Sequence, residues 1–255
     1  MTGIQGRNCG RISEFHAFAF LLILLLSLPG LSNVPLEACD VDLLAIIEVE
    51  TASFPVSASW IEAARATAQL SDALNTGSPA SSIVHRWNEA SWRVSVVAQQ
   101  TGNDPATDLG SATRLVDLLI GSGDFISAHE ALQRQFRLII QGISKLELPV
   151  RVSSLAALTG TVWSIAEASR DRDTRRFRNE IAGLASSIQT LESSLAIASD
   201  ADLTEAVRYW GTELEKHSAS AGEEWPDELF LAASQLKNAL IQFHKAIRIR
   251  LPEGK

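Results

Sequence analysis

The residue types best suited to acid–base or metal chemistry are five histidines scattered along a chain of 255 residues: His16, His85, His129, His217 and His244. Two of them form i,i+4 pairs with glutamate, His85 with Glu89 and Glu213 with His217, and this spacing places both side chains on one face of a helix. Such a pair could hold a metal ion with two ligands, but it is also a common feature of solvated helix surfaces. We therefore predict no metal site and no cofactor.

The chain also lacks the local motifs of known catalytic chemistry. It contains no His-Glu-x-x-His or Glu-x-x-His metal motif, no Cys-x-x-Cys-His haem attachment, no Gly-x-Ser-x-Gly nucleophile turn and no glycine-rich phosphate loop ending in lysine. No catalytic residue is therefore predicted. Catalytic groups can assemble from distant positions, so an enzyme with a dispersed site is an alternative.

The densest charge cluster runs from Arg170 to Arg178 and interleaves arginines with aspartates. Guanidinium groups pair with oxyanions through two parallel hydrogen bonds, so this cluster could bind a phosphate or an acidic protein surface. Mixed charges of this kind more often mark a solvated helix junction. The candidate binding residues in the cluster are Arg172, Arg175, Arg176 and Arg178.

Six tryptophans supply the other candidate binding side chains. Trp87 and Trp210 fall on apolar helical stripes and are expected in the core. Trp92 lies off its stripe and Trp225 lies in a loop, so either could line a groove, because exposed tryptophans favour interfaces. We predict a non-catalytic binding protein with an unknown protein partner. A carrier that holds a small apolar molecule or lipid among its helices is the alternative.

The charge of the chain argues against nucleic acid as its partner. Lysine and arginine together number 22 and aspartate and glutamate 30, which gives a net charge of −8. An acidic chain is repelled by phosphate backbones. No basic run is interleaved with aromatic residues as single-strand binding requires.

The N-terminus has the pattern of a secretory signal peptide. Arg7 and Arg11 precede an apolar run over 17–28, and small residues follow it. The run is about a dozen residues long, whereas a membrane span needs about 20. We therefore predict a signal peptide over 1–32, cleaved after Ser32, and export to a periplasm or to the medium.

An uncleaved leader is the alternative. The protein would then be a single-pass membrane protein with an external C-terminal domain, and residues 15–31 would make the membrane contact. Cys9 lies within the leader, so we expect Cys39 to be a free thiol or to pair with another molecule rather than to form an intrachain disulfide.

Beyond the leader, the hydrophobic pattern predicts an all-α fold. Apolar residues recur at helical spacing and no segment alternates convincingly at period two. Prolines, glycines and capping residues divide the chain into about seven to eight helices, and short loops favour an antiparallel helical bundle. We expect an N-terminal helical subdomain over 33–148 and a C-terminal helical bundle over 149–255, joined near Leu148 and Pro149.

Two helix starts are predicted in the N-terminal half. Ser59 and Glu62 have the spacing of a capping box, in which the hydroxyl and the carboxylate each accept an amide at the start of the helix. Pro105 is expected to open a further helix. The predicted buried face of that helix consists of Ala112, Leu115 and Leu119.

The segment from Leu115 to Leu138 resembles one helix–turn–helix unit of the tetratricopeptide type, through Gly123-Asp124-Phe125 in the turn and Ala128 after it. Gln135 stands where that unit has a small residue, and it would crowd the two helices. No comparable turn lies about 34 residues away on either side, as a repeat array would require. We interpret the segment as an ordinary helical hairpin.

In the C-terminal half, six apolar residues alternate in spacings of four and three: Phe177, Ile181, Leu184, Ile188, Leu191 and Leu195. We call this set the seam. Isoleucine and leucine at such alternating positions are typical of dimeric coiled coils. The repeat lasts about three heptads and lacks flanking charge pairs, so we predict packing within the chain, with a homodimer through the seam as the alternative.

Overall fold

The computed structural model describes residues 36–77, 79–102, 108–195, 201–219 and 225–250, and the span 36–255 forms one compact unit. The predicted leader over 1–32 lies outside the described residues, as does the side chain of Cys39. Within the described part, no helix is both long and apolar enough to cross a bilayer.

The described part is all-helical, as the sequence predicts, and contains no strand. It has nine α-helices rather than about seven to eight, and a 3₁₀ turn at Pro55–Ser57 precedes the second. The helices are α1 Leu36–Thr51, α2 Ala58–Thr76, α3 Ser81–Thr101, α4 Leu109–Ser122, α5 Phe125–Ser144, α6 Val150–Arg170, α7 Thr174–Ser194, α8 Ala201–Ser218 and α9 Asp227–Arg250.

The helix contacts form two closed rings of four. In the first ring, α2, α3, α4 and α5 each pack against the next, and α5 packs back against α2. In the second, α6 to α9 follow the same pattern, and α9 packs back against α6. Helix α1 packs against α2, α6 and α9, and α5 packs against α6, so the rings belong to one compact unit. The first ring ends at Ser144 and the second begins at Val150, on either side of the predicted junction near Pro149. That the two rings are separate subdomains stays a prediction.

Neighbouring helices run antiparallel where side-chain contacts give their direction. Arg134 on α5 pairs with Glu167 on α6, and the Phe136 ring lies 5.7 Å from the Trp163 ring. A later residue on α5 therefore meets an earlier residue on α6. Helices α6 and α7 are also antiparallel, since Ser164 contacts Glu180 and Glu167 contacts Arg176. So are α6 and α9, since Thr159 contacts His244 and Trp163 contacts Lys237.

Two interhelical turns share one backbone motif. Gly123 follows α4 and Arg172 follows α6, and both adopt left-handed backbone, with φ of 77° and 55°. In each turn the next residue, Asp124 or Asp173, donates its amide to a carbonyl five residues earlier, which is the Schellman arrangement. Each aspartate also caps the following helix by accepting an amide three residues on. Glycine adopts this backbone freely, whereas at Arg172 it costs about 1 kcal/mol.

The predicted capping box is wrong. Helix α2 begins at Ala58 because the 3₁₀ turn Pro55–Ser57 continues directly into it, so Ser59 lies inside the helix. Glu62 pairs instead with Arg93 on α3, at 2.8 Å.

The predicted buried face of α4 is wrong at Leu115, whereas Ala112 is half-buried and Leu119 packs partly buried against the core. The predicted start at Pro105 lies outside the described residues. The buried residues of α4 are Leu109, Thr113 and Val116, whereas Leu115 is 46% exposed. The helix is rotated so that a polar residue, Thr113, points into the first ring.

A buried chain of hydrogen bonds explains this rotation. Trp87 Nε1 donates to Gln135 Oε1 at 3.0 Å, and Gln135 Nε2 donates to Thr113 Oγ1 at 2.9 Å. The Thr113 hydroxyl donates in turn to the Leu109 carbonyl, at 2.8 Å. Gln135 therefore does not crowd the hairpin of α4 and α5: it supplies partners for two polar groups that have no access to water.

The helical spacing of apolar residues predicts a buried stripe on α5 and another on α9, and both stripes lie in the core. The α5 stripe is buried as far as Ile143, and Leu146 lies beyond the helix end. The predicted α9 stripe is buried throughout: Leu229, Ala233, Leu236, Leu240, Phe243 and Ile247.

The closest approach of α2 to α5 depends on a glycine. The Trp60 indole is completely buried and lies directly over the α-carbon of Gly142. A methyl group at Gly142 would overlap the six-membered ring of Trp60.

We expect Gly142→Ala to lower the free energy of unfolding by about 1–3 kcal/mol, because overpacking displaces the indole or the helix. Gly183→Ala is the matched control: this glycine lies in the middle of α7, and nothing lies within 4 Å of an added methyl group. It should raise the free energy of unfolding by about 0.5–1 kcal/mol. Urea unfolding followed by circular dichroism measures both, and equal effects would contradict the close packing of Trp60 on Gly142.

Candidate functional site: an arginine cluster around Glu167

A carboxylate surrounded by arginines lies where α5, α6 and α7 meet. Only 9% of the Glu167 side chain is exposed, and it pairs with Arg134 Nε at 3.0 Å, with Arg176 Nη2 at 2.7 Å and with Arg137. Arg170 is 4.0 Å away. We call Glu167 and these four arginines the Glu167 cluster.

Burial and charge act against each other on Glu167. Burial alone would raise the pKa of its carboxyl, but the attraction of Arg137 and Arg176 outweighs burial and lowers the pKa below its ordinary value of 4.5. Burial lowers the pKa of Arg137, and the Glu167 charge opposes that effect. Glu167 is therefore ionised at neutral pH, and its arginine partners keep their charges.

Ser164 extends the cluster along α6. Its hydroxyl donates to Glu180 Oε1 at 2.7 Å and accepts from Arg176 Nε at 3.1 Å. Arg176 of α7 thus binds two α6 residues one turn apart, Ser164 and Glu167. These bonds set how far α7 is shifted along α6.

The outer guanidiniums of the cluster reach solvent. The side chains of Arg134 and Arg170 are 50% and 53% exposed, and that of Arg176 is 34% exposed. A guanidinium carries five N–H donors, whereas a carboxylate has about four lone-pair sites. Donors therefore exceed the acceptors that Glu167 offers. The arrangement is suited to binding a further carboxylate or phosphate at its surface.

The structure brings only one of the four predicted arginines into this cluster. Arg176 points toward Glu167, whereas Arg172 is exposed in the turn between α6 and α7. Arg175 is exposed on α7. Arg178 lies two residues beyond Arg176, about 200° around the helix, and so occupies the other flank of α7. The structure therefore separates Arg176 from the others: Arg175 and Arg178 are three positions apart on α7 and share its other flank.

Sequence reasoning missed Glu167, Arg134 and Arg137. A weak signal was present, because Glu167 lies between the buried residues Ile165 and Ala168 of α6. A charged residue on a buried helix face needs a partner of opposite charge. The sequence alone does not identify that partner, since Arg134 lies 33 positions away.

The two candidate tryptophans both contribute to packing. Trp92 is half-buried on α3, where the Arg114 guanidinium lies 5.4 Å from its ring centroid. Trp225 is also half-buried and meets the Phe177 ring edge-on, at 5.2 Å between centroids. Trp92 belongs to the first ring and Trp225 precedes α9 of the second. Of the two expected core tryptophans, Trp87 is completely buried and Trp210 is half-buried.

In both i,i+4 histidine–glutamate pairs, the glutamate lies near other charged side chains. His217 Nε2 lies 3.7 Å from Glu213, which Lys216 also approaches, and Glu89 pairs with Arg93 at 2.9 Å. Among the described residues, no group of three histidine, cysteine or acidic side chains converges as metal ligands would.

One serine–histidine contact pairs a nucleophile with an imidazole, but Gln133 donates to Nε2, so the neutral ring donates from Nδ1 to the serine and does not act as its base. Ser71 Oγ lies 3.1 Å from His129 Nδ1, and Gln133 Nε2 lies 3.1 Å from the other ring nitrogen. Ser71 is completely buried, so a substrate does not reach its hydroxyl in this conformation. The contact ties α2 to α5.

A groove of about 180 Å³ lies between α7 and α8. Its polar lining comes from Gln189, Glu192, Arg208, Thr212 and Glu215. Ala185, Ile188 and Gly211 complete the lining, and no tryptophan takes part in it.

The seam on α7 is packed within the chain. Five of its six residues are buried and Leu195 is half-buried, and α7 packs against α6 and α8. The alternative homodimer would therefore require α7 to leave its own core.

No protein-family model matches this chain, and no curated protein or solved structure is detectably similar to it.

We expect Glu167→Gln to lower the free energy of unfolding at pH 7 by about 3 kcal/mol, because Arg137 is only 11% exposed and would lose its counter-charge. A carboxyl whose pKa is lowered by folding stabilises the fold above its unfolded pKa. This stabilisation is lost as pH falls through the folded pKa. The difference between wild type and variant should therefore shrink as pH falls below 4.5. Urea unfolding at pH 7 and pH 3 measures it.

Glu62→Gln is the matched control. Glu62 and Arg93 form a pair between α2 and α3, but their side chains are 40% and 49% exposed. Solvent screens such pairs, so the variant should cost less than about 1 kcal/mol at either pH. A cost for Glu167→Gln no larger than that of the control would contradict the role assigned to Glu167.

Proposed function

We propose that this protein is a non-catalytic binding protein and that the Glu167 cluster binds a carboxylate-rich segment of a protein partner. The excess of guanidinium donors over the single carboxylate among them carries the proposal. Arg134 and Arg170 are the half-exposed members that meet the partner. Carboxylates bind guanidiniums through paired, charge-assisted hydrogen bonds, which favours arginine over lysine at such a site.

The local charge supports this choice of partner. Five arginines stand at this junction, the four of the cluster and Arg172 in the adjoining turn, against four carboxylates, Glu167, Asp171, Asp173 and Glu180. The site therefore keeps one excess positive charge within a chain of net charge −8. An acidic segment is repelled by most of the surface and attracted here. Binding of this kind weakens as salt rises.

Arg172 supplies a second supporting observation. It occupies a left-handed position next to the cluster where glycine would be more stable. The corresponding position after α4 is a glycine, Gly123. An arginine at this position lowers the stability of the fold but adds a positive charge beside the site. This combination favours a role of Arg172 in binding over a role in stability.

A fluorescent peptide of eight glutamates is the probe, and its anisotropy measures binding at low salt. We expect wild type to bind the peptide, and the double variant Arg134→Gln, Arg170→Gln to bind it about thirtyfold more weakly, because the two lost charge-assisted bonds contribute about 1 kcal/mol each. Both side chains are half exposed, so the fold should keep its stability within about 1 kcal/mol.

Arg93→Gln is the control variant, since it removes an exposed arginine from α3, away from the cluster. Arg172→Gly separates the effect on binding from the effect on stability. It should raise the free energy of unfolding by about 1 kcal/mol, because glycine tolerates left-handed backbone, and it should weaken binding of the glutamate peptide. Equal affinity of wild type and the double variant would refute the proposal. The proposal would also be refuted if wild type bound a lysine peptide as tightly as the glutamate peptide. It would be refuted as well if wild type bound an oligonucleotide more tightly than the glutamate peptide.

We also propose that the protein is exported by the leader over 1–32 and acts outside the cytoplasm. Arg7, Arg11 and the apolar run over 17–28 support this. N-terminal sequencing of the product from its host should read Asn33 as the first residue. A product that retains its leader and sediments with membranes would favour the anchored alternative, and an intact soluble product would contradict export.

A further inference from the structure

His244 on α9 is a buried histidine that the proposed binding role does not use. Only 2% of the residue is exposed, and its Nε2 lies 3.2 Å from the Thr159 hydroxyl on α6. That hydroxyl donates its hydrogen to the Leu155 carbonyl, at 2.8 Å. The ring must therefore donate from Nε2, which leaves an unprotonated nitrogen at Nδ1. Nδ1 is buried and has no hydrogen-bond partner within the described part.

A second proton on this ring would have no acceptor. It would reside on Nδ1 and place an unpaired positive charge in the core, which is strongly unfavourable. Burial accordingly lowers the pKa of His244 to about 3. The native contact between α6 and α9 thus requires a neutral imidazole.

Among the side chains that the structure describes, no charged group pairs with the His244 ring. Helix α9 packs against α1, α6 and α8. The described acids of α1 each pair with an arginine, through Asp42–Arg248, Glu48–Arg65 and Glu50–Arg151. On α6, Arg151 and Glu167 lie two turns to either side of Thr159 and are paired, and Arg170 lies beyond. The remaining charged groups are Glu205, Arg208, Glu213, Glu215, Lys216 and His217 on α8, and Asp227, Glu228, Lys237, Lys245, Arg248 and Arg250 on α9. Burial alone accounts for the lowered pKa of His244, without a contribution from any of these charges.

The position of this contact determines what its loss would do. Thr159 and His244 lie on the α6–α9 edge that closes the second ring, and Lys237 lies over Trp163 on the same edge. Separation of α9 from α6 would admit water to Nδ1 and let the ring take its proton.

We propose that His244 makes the closure of α9 on α6 sensitive to acid, so that mildly acidic surroundings open this edge of the second ring. The device is independent of the Glu167 cluster. A histidine whose pKa is lowered by folding stabilises the fold fully above its unfolded pKa of 6.5, and this stabilisation is lost as pH falls toward the folded value.

Urea unfolding of the full chain at pH 7.5 and pH 5.0 tests the linkage. We expect the ratio of the unfolding equilibrium constants at the two pH values to be about thirtyfold larger for wild type than for His244→Gln. His85→Gln removes an exposed histidine from α3 and should leave the wild-type ratio unchanged. Equal ratios for wild type and His244→Gln would overturn the proposal.

Hydrogen exchange then locates the opening. After correction for the intrinsic exchange rate, amides of α6 and α9 should lose protection at pH 5.0 before those of α2 and α3. Simultaneous loss in all four helices would overturn the proposed opening of one edge.

A measurement on wild type covers the case in which His244→Gln does not fold. With ¹⁵N-labelled histidine, the Nδ1 resonance of His244 should stay in its unprotonated position as long as the α6 and α9 amides keep their protection. It should move to its protonated position at the pH at which that protection is lost. Protonation near pH 6.5 with all folded signals retained would overturn the proposal.

Discussion

The Glu167 carboxylate is almost entirely withdrawn from water, and a carboxylate in that position is tolerable only if cations replace its hydration. Arginines from α5 and α7 supply these cations. They reach Glu167 only when α5, α6 and α7 have one particular axial shift and rotation relative to each other. Since α5 closes the first ring and α6 opens the second, the same pairing governs how one ring adjoins the other. Three other pairs between neighbouring helices have more exposed carboxylates, so solvent screens them more: Arg65–Glu48, Arg93–Glu62 and Arg208–Glu192, with carboxylates 50%, 40% and 29% exposed against 9% for Glu167.

Apolar burial provides most of the stability, and the buried polar groups select one arrangement of the helices. The Trp87–Gln135–Thr113 chain illustrates this, because rotating α4 so that Leu115 pointed inward would bury more hydrocarbon but leave the buried Gln135 Nε2 without a hydrogen-bond acceptor. The Glu167 cluster acts in the same way between α5, α6 and α7. His244 differs in that one of its nitrogens stays unpaired, which makes its surroundings depend on protonation.

Structural and binding roles meet in the Glu167 cluster because arginine has more donors than a single carboxylate accepts. The inner guanidinium of Arg137 serves the fold, whereas the outer ones of Arg134 and Arg170 face solvent. Arg172, in a left-handed turn beside them, is the one described residue other than glycine with positive φ. Strain of this kind at the edge of a charged surface is consistent with a site that serves recognition.

The sequence by itself determined that the chain is helical, where several helices end and which faces of α5, α7 and α9 are buried. These properties follow from the spacing of apolar residues and from local backbone sterics, as at Gly77, Gly102 and Gly123, so nearby residues suffice to predict them. Only the tertiary structure decided the rotation of α4, the start of α2 at Ala58 and the meeting of Glu167 with arginines of α5. Each of these depends on how one helix is turned and shifted against another, and residues far apart in the chain fix that arrangement through burial and pairing that no local spacing encodes.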